Sequence, residues 1–258
     1  MANHGEFFSN ETDAARLTRN GWLTYAGIYA EIAACWLGWL PGWGMLITMP
    51  IFVVRWMLAT HELFHLRDER DVDRLTHLMP LLLTPLSLGY REFLQIHREH
   101  HASMATPHDP EYFQIRGPWW QGMFNAMTAP EQHFWRWISK HPADRDLYWG
   151  VAIRLLLIVV FAIMAGAVFW WYWVSVRIAF GLSYFSFFYM QHRRGDAYGV
   201  YRTDLPDWVR QVFSVLFGRE AMLATCYHDI HHQHPRVSAF HLPLLASILG
   251  ESDAEQVG

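Results

Sequence analysis

Four apolar blocks constrain this chain before any single residue does. "WLTYAGIYAEIAACWLGWL" (22–40), "GMLITMPIFVVRWMLAT" (44–60) and "VAIRLLLIVVFAIMAGAVFWW" (151–171) each approach the ~20 residues that carry a helix across a bilayer, and "VSVRIAFGLSYFSFFYMQ" (174–191) is just long enough. Only "PGW" separates the first two blocks and only a Tyr-Trp step the last two, so each pair reads as a tight helical hairpin. A hydrophobic content of 52%, with 16% aromatic, exceeds what an ordinary globular domain buries. The expected architecture is an all-α integral membrane protein, one domain over 1–258, with about four transmembrane helices in two hairpins.

Lys and Arg near short loops are retained on the cytoplasmic side, which orients the hairpins. Of the 20 basic residues, nine lie in 61–148, six in 192–258 and two before residue 22, while the hairpin tips have none. Both termini and a helical cap made of 61–148 and 192–258 are therefore expected to face the cytoplasm, from an inner or cytoplasmic membrane. The other three, Arg55, Arg154 and Arg177, fall near span ends, where long side chains snorkel to the headgroups. Aromatic clusters at 119–120, 134–137 and 169–173 read as interfacial belts. The segment 78–90, too short to span and carrying two prolines, reads as an interfacial or re-entrant helix. The polar, acidic start of the chain does not resemble a cleavable signal peptide.

A net charge of −4 with scattered basic residues gives no sign of nucleic-acid binding. Cys35 and Cys226 form neither a CxxC nor an iron–sulfur set and read as packing residues. Nothing in the sequence sets an oligomeric state.

Histidine is the abnormal residue, with sixteen copies of which half fall in three boxes: "HELFH" (His61, His65), "HREHH" (His97, His100, His101) and "HDIHH" (His228, His231, His232). At this frequency about 0.06 copies of H-x-x-H-H are expected by chance, and the chain has two. Neutral imidazole is the commonest transition-metal ligand, which points to Zn, Cu, Fe or Ni and away from Mg or Ca. Helical residues i and i+4 lie about 40° apart, so His61 and His65, and His97 and His101, can each converge on one ion. In H-x-x-H-H the adjacent histidines diverge by about 100°, so one box can serve two ions. Eight imidazoles exceed what one tetrahedral zinc accepts, and a dimetal site follows. The first box follows the second span and the others lie in the cap, so all three meet at one membrane face; the fourth span delivers His192 to that face as a ninth candidate.

These three boxes, in this order and with paired membrane helices before the first and last, resemble the membrane fatty-acid desaturase and hydroxylase superfamily across residues 22–232. "TPHDPE" (106–111) also resembles sequence that follows the second box in that family, with Asp109 at the acidic position. The resemblance implies a cytoplasm-facing site of two iron ions held by histidines. It also implies O2 as co-substrate and oxidation of an unactivated C–H bond in a fatty acyl or related lipid. Desaturation is the family's commonest outcome and hydroxylation the other; carotenoid hydroxylases and ketolases share related boxes and keep that substrate class open. Glu62 stands where many members have Asp, and with Asp109 and Asp229 it is expected to fix imidazole tautomers from outside the ligand set. The chain is short for the family and carries no fused redox module, so an external donor is expected, a ferredoxin or cytochrome with its NAD(P)H reductase.

HELFH also satisfies the H-E-x-x-H pattern of zinc proteases, but that reading leaves six boxed histidines without a role. A metal transporter would line its spans with ligands, and these spans contain almost none. His4, His77, His133 and His141 read as surface or headgroup-level residues, and His108, His234 and His241, near the boxes, as locally hydrogen-bonded, with a role supporting the ligands as the alternative. Glu31 is the exceptional acid: a carboxylate within the first span, expected to meet a polar substrate group or a neighbouring helix. The substrate itself is expected to be membrane-borne, acyl or isoprenoid, in a tunnel running from the metal site between the spans.

Overall fold

A computed structural model describes residues 7–73, 76, 84–142 and 144–256, with side chains through residue 250. The fold is helical apart from one two-stranded hairpin among the described residues. The first helix, α1 (Glu11–Trp36), starts well before the apolar block because Asn10 caps it: its side chain accepts from the N–H groups of Thr12 and Asp13, and Asp13 accepts from the N–H of Asn10. Gly38, at φ 75°, turns the chain at the hairpin tip. α2 (Met45–Phe64) returns with Met45, Met49, Val53, Trp56, Thr60 and Leu63 on its buried stripe and packs against α1.

The second hairpin is α7 (Arg145–Ala165) and α8 (Ala167–Tyr184). Its break falls at Gly166, not at the Tyr-Trp step, because the backbone there takes φ 54° and ψ −119°, open only to glycine. α8 packs chiefly on α2. Among the described residues two helices are long and apolar enough to cross a membrane, Gly42–Phe64 and Arg145–Ala165. α1 is diluted by its charged first turns and Glu31, and α8 by Trp, Tyr and Arg177. Only 17% of the most apolar window of α7 is buried, whereas the core helix of a soluble protein would be enclosed; Ile153, Leu156, Val159 and Ile163 all face outward.

Between the hairpins lie α3 (Tyr90–Ser103), the single turn α4 (Tyr112–Ile115), α5 (Trp119–Met127) and α6 (Ala129–Lys140). α5 packs along α8, with Gly122 against the Tyr189 ring and Gly181 against Met123 and Met127. At the turn into α6, Glu131 accepts from Arg177 at 2.6 and 2.7 Å, which is 15 residues and about 20 Å of helix from His192. Arg177 therefore holds the tip of a helical hairpin rather than snorkelling. Arg154 likewise is buried and donates to the carbonyl of Ser87, and Arg55 donates to the carbonyls of Leu216 and Val215. Arg55 and Arg154 thus satisfy backbone oxygens of a helix end and a loop, and Arg177 a carboxylate. Of the expected segment 78–90, residues 78–83 lie outside the described residues; 84–89 are non-helical, and Tyr90 opens α3.

After α8 a π-helical turn, Phe185–Tyr189, leads to β1 (Arg193–Arg194) and β2 (Ala197–Tyr198), then to α9 (Asp207–Phe217), α10 (Arg219–Cys226), α11 (His228–Gln233) and α12 (Leu242–Gln256). The tail meets the N-terminal stretch: Phe8 bridges Val237, and Ser238 N–H donates to Phe7 O at 3.0 Å. Cys35 and Cys226 are buried and unpaired, consistent with packing roles.

Candidate metal centre

All nine histidines singled out in the sequence converge at the end of α2. The stripe of α3 explains why its box arrives together: Tyr90, Phe93, Leu94, His97 and His100 are buried, so the histidines continue the apolar face, while Arg98 points outward to Asp68. α2 supplies His61 and His65 from its last turn and C-cap, and α11 buries His228, His231 and His232 on one side. His192 follows the π-helical turn, a local widening that often sits beside functional groups.

The nitrogens fall into two groups. In the first, His65 Nε2 lies 2.9 Å from His97 Nε2 and 3.1 Å from His231 Nε2, with His61 facing His97 and His231. In the second, His232 Nε2 lies 3.1 Å from His228 Nε2 and 3.3 Å from His192 Nε2, His228 and His192 are 3.4 Å apart, and His100 stands within ligand reach of His192 and His232. His101 lies between the two, beside His65 and His97 and stacked on His232 at 4.1 Å.

Two nitrogens about 2.1 Å from a shared ion stand about 3.0–3.4 Å apart at octahedral or tetrahedral angles, and the observed spacings match. Both nitrogens of His101 and the Nδ1 atoms of His228, His231 and His232 are buried without a hydrogen-bond partner. Burial, and secondarily neighbouring imidazole charge, holds His65, His97, His228, His231 and His232 well below the ordinary histidine range, and pushes His101 down to about 3. The rings are thus neutral near pH 7, the form that offers a lone pair. Nine converging imidazoles suit a borderline transition metal.

Hydrogen bonds outside the ligand set orient these rings. His100 Nδ1 donates to Asp109, 2.9 Å from Oδ2, and Asp109 accepts in turn from the N–H groups of Ala105 and Glu111. His61 Nδ1 donates to Glu62 at 3.0 Å, and His192 Nδ1 to the carbonyl of Phe188 at 3.2 Å. In each case Nε2 is left to coordinate. Asp229 does not share this role. One residue on from His228, it faces away from the site and pairs with Arg202 at 3.0 Å.

Two features escaped the sequence reading. Phe64, Phe187 and Phe188 pack against His97, His61 and His100, an apolar wall made by rings that looked like ordinary span residues. His133 is buried, not surface-level: its Nε2 lies 2.6 Å from Glu111 Oε2, beneath Phe93 and Phe113. The acidic neighbours of Asp109 were the available signal for that pair. Glu31 is buried and accepts from Thr48 across the α1–α2 contact, 13 residues before His61 on α2 and so about 20 Å from it.

Two sets of imidazoles on an apolar helical frame form histidine clusters that could hold metal ions. The chain belongs to the fatty acid desaturase family, whose model matches residues 36–257. That match takes in every one of the nine histidines. No curated protein and no solved structure matches the chain. Membership implies a lipid desaturase or hydroxylase type of oxidoreductase with metal-dependent catalysis.

Proposed function

We propose that this protein is an O2-dependent di-iron oxidoreductase of the membrane that desaturates an unactivated C–H site of a fatty acyl or related lipid, with hydroxylation as the alternative outcome. The observation that carries this reading is the meeting of nine imidazoles from four separate segments in two groups. His61, His65, His97 and His231 would hold one ion and His100, His192, His228 and His232 the other, with His101 between them. When bound, the two irons supply O2 activation and the removal of hydrogen from carbon. The chain's own residues do the rest. Asp109, Glu62 and the Phe188 carbonyl fix ring tautomers, and Phe64, Phe187 and Phe188 keep the substrate-facing side dry.

For desaturation the overall balance is two hydrogens from the substrate, one O2, two protons and two external electrons, giving an alkene and two waters. The electrons come from a ferredoxin or cytochrome with its NAD(P)H reductase. Four membrane helices, α1, α2, α7 and α8, with a cytoplasmic metal face and cytoplasmic termini, fit the outward apolar residues and the pairing of Phe8 with Val237. Glu62 is engaged with His61 and lies 3.9 Å from His231, which suits a tautomer-fixing acid and not a protease base.

The test is elemental analysis after anaerobic iron loading, joined to lipid analysis of a host with and without the gene. About two irons per chain and one altered lipid class are expected. A preparation that holds a single zinc and hydrolyses peptides would sink the proposal.

A further inference from the structure

On the far side of Asp109 from His100, a pocket of about 130 Å³ opens between α3, the α4 turn and α6. Asp109 and His133 form its floor, and Arg116, Arg136 and Lys140 stand exposed on its rim. None of these three cations has an ion-pair partner among the described residues. That contrasts with Arg16, Arg67, Arg91, Arg98, Arg202 and Arg210, each of which faces a carboxylate. Arg136 lies over the Phe113 ring at 4.4 Å, and burial together with the nearby Arg116 charge holds its guanidinium below its ordinary value. The one acid exposed in the lining, Glu99, accepts from Gln95 instead. Clustered like charges repel one another, and an anionic occupant would relieve that repulsion.

We infer that this pocket is the docking surface for the electron donor, an acidic one-electron carrier protein, whose redox group is brought over Asp109 and thereby one hydrogen bond from the ligand candidate His100. The inference rests on the proposed function for the identity of the occupant. The chain carries a net charge of −4, so an acidic partner is repelled over most of its surface and steered to the patch that is locally positive. The reduced carrier gives up one electron per encounter and leaves oxidised, and two encounters supply the two electrons of the overall balance. The floor of the pocket offers a short protein route inward, since the Asp109 carboxylate is itself 2.9 Å from His100 Nδ1.

The probe is a plant-type [2Fe–2S] ferredoxin, acidic and fluorescently labelled, titrated onto the full chain in nanodiscs of neutral phosphatidylcholine. Wild-type binding is expected to weaken as salt rises. The triple variant Arg116→Glu, Arg136→Glu, Lys140→Glu is expected to bind about tenfold more weakly or worse and to lose most of the salt dependence. Arg116→Gln with Lys140→Gln, a milder change that keeps the fold, is expected to fall between. Arg70→Glu, in a different pocket beside Asp68 and Glu69, is expected to bind as wild type. Equal binding by the triple variant, or salt-independent binding by the wild type, overturns the inference. So does a variant that loses affinity for phosphatidylglycerol vesicles while keeping the ferredoxin, since the patch would then be a lipid site. Metal content on the same preparations separates the two proposals: patch-dependent docking by a chain without metal leaves the surface standing and fails the di-iron reading, and metal without patch-dependent docking does the reverse.

Discussion

His100 Nδ1 donates to the Asp109 carboxylate, 2.9 Å from Oδ2 and 3.0 Å from Oδ1, with both side chains buried. Asp109 is held by the N–H groups of Ala105 and Glu111, so the loop leaving α3 fixes a ring that α3 itself supplies. Asp109→Asn preserves size but offers one acceptor in place of two. Metal affinity measured by chelator competition is expected to fall by about 10–100-fold with helix content retained. Unchanged affinity would mean that something else sets the His100 tautomer.

The two groups of imidazoles are expected to empty separately. His97→Ala should lower the iron content from about two to about one, and His192→Ala should do the same for the other ion, with the pair of changes leaving almost none. His101→Ala, between the groups, should weaken both. Elemental analysis reads this directly, and complete loss of iron from either single variant would merge the groups into one centre.

Arg177 and Glu131 are 14% and 22% exposed, so water screens their bond only in part. Arg177→Met alone leaves Glu131 with its Thr84 partner but no countercharge and is expected to destabilise the fold by up to about 3 kcal/mol. Arg177→Met combined with Glu131→Leu should recover most of that loss. Thermal unfolding in detergent makes the comparison, and equal loss in both variants would assign the effect to packing.

The acid response has a definite sign. Burial keeps His65, His97, His228, His231 and His232 neutral well below 6.5, while the unfolded chain regains that ordinary value and takes up protons first as pH falls. The metal-free fold therefore keeps its full stability above 6.5 and loses up to about 1.4 kcal/mol per pH unit per imidazole below it. Its melting temperature is expected to be level from roughly pH 7.5 to 8.5 and to drop steeply toward pH 5. A level profile throughout would mean that these rings are hydrated.

Glu31 accepts from Thr48 about 20 Å along α2 from His61, a position that joins α1 to α2. Glu31→Gln keeps an acceptor for Thr48, so turnover and substrate preference are expected to stay at wild-type values. An altered chain-length preference in a product assay would extend the substrate path to that depth.

The sequence alone determined the helical, apolar character of this chain and the identity of its ligand candidates, because both are local. An apolar block of ~20 residues forms a helix long enough to span wherever it packs, and H-x-x-x-H puts two imidazoles on one helix face by geometry alone. Family membership was legible for the same reason, since the boxes are short runs. What only the tertiary structure decided is whatever depends on residues far apart in the chain meeting. His65 touches His231 across 166 positions. Arg154 and Arg177 turn inward to a carbonyl and a carboxylate rather than outward to headgroups, because the loop at Ser87 and the α5–α6 tip reach them. Asp109 and Asp229 read alike in sequence, as acids near a histidine box, yet one is buried on His100 and the other pairs with Arg202. A neighbour in sequence restricts only where a side chain can point, whereas burial and the partner it finds, which set its chemistry, are properties of the assembled fold.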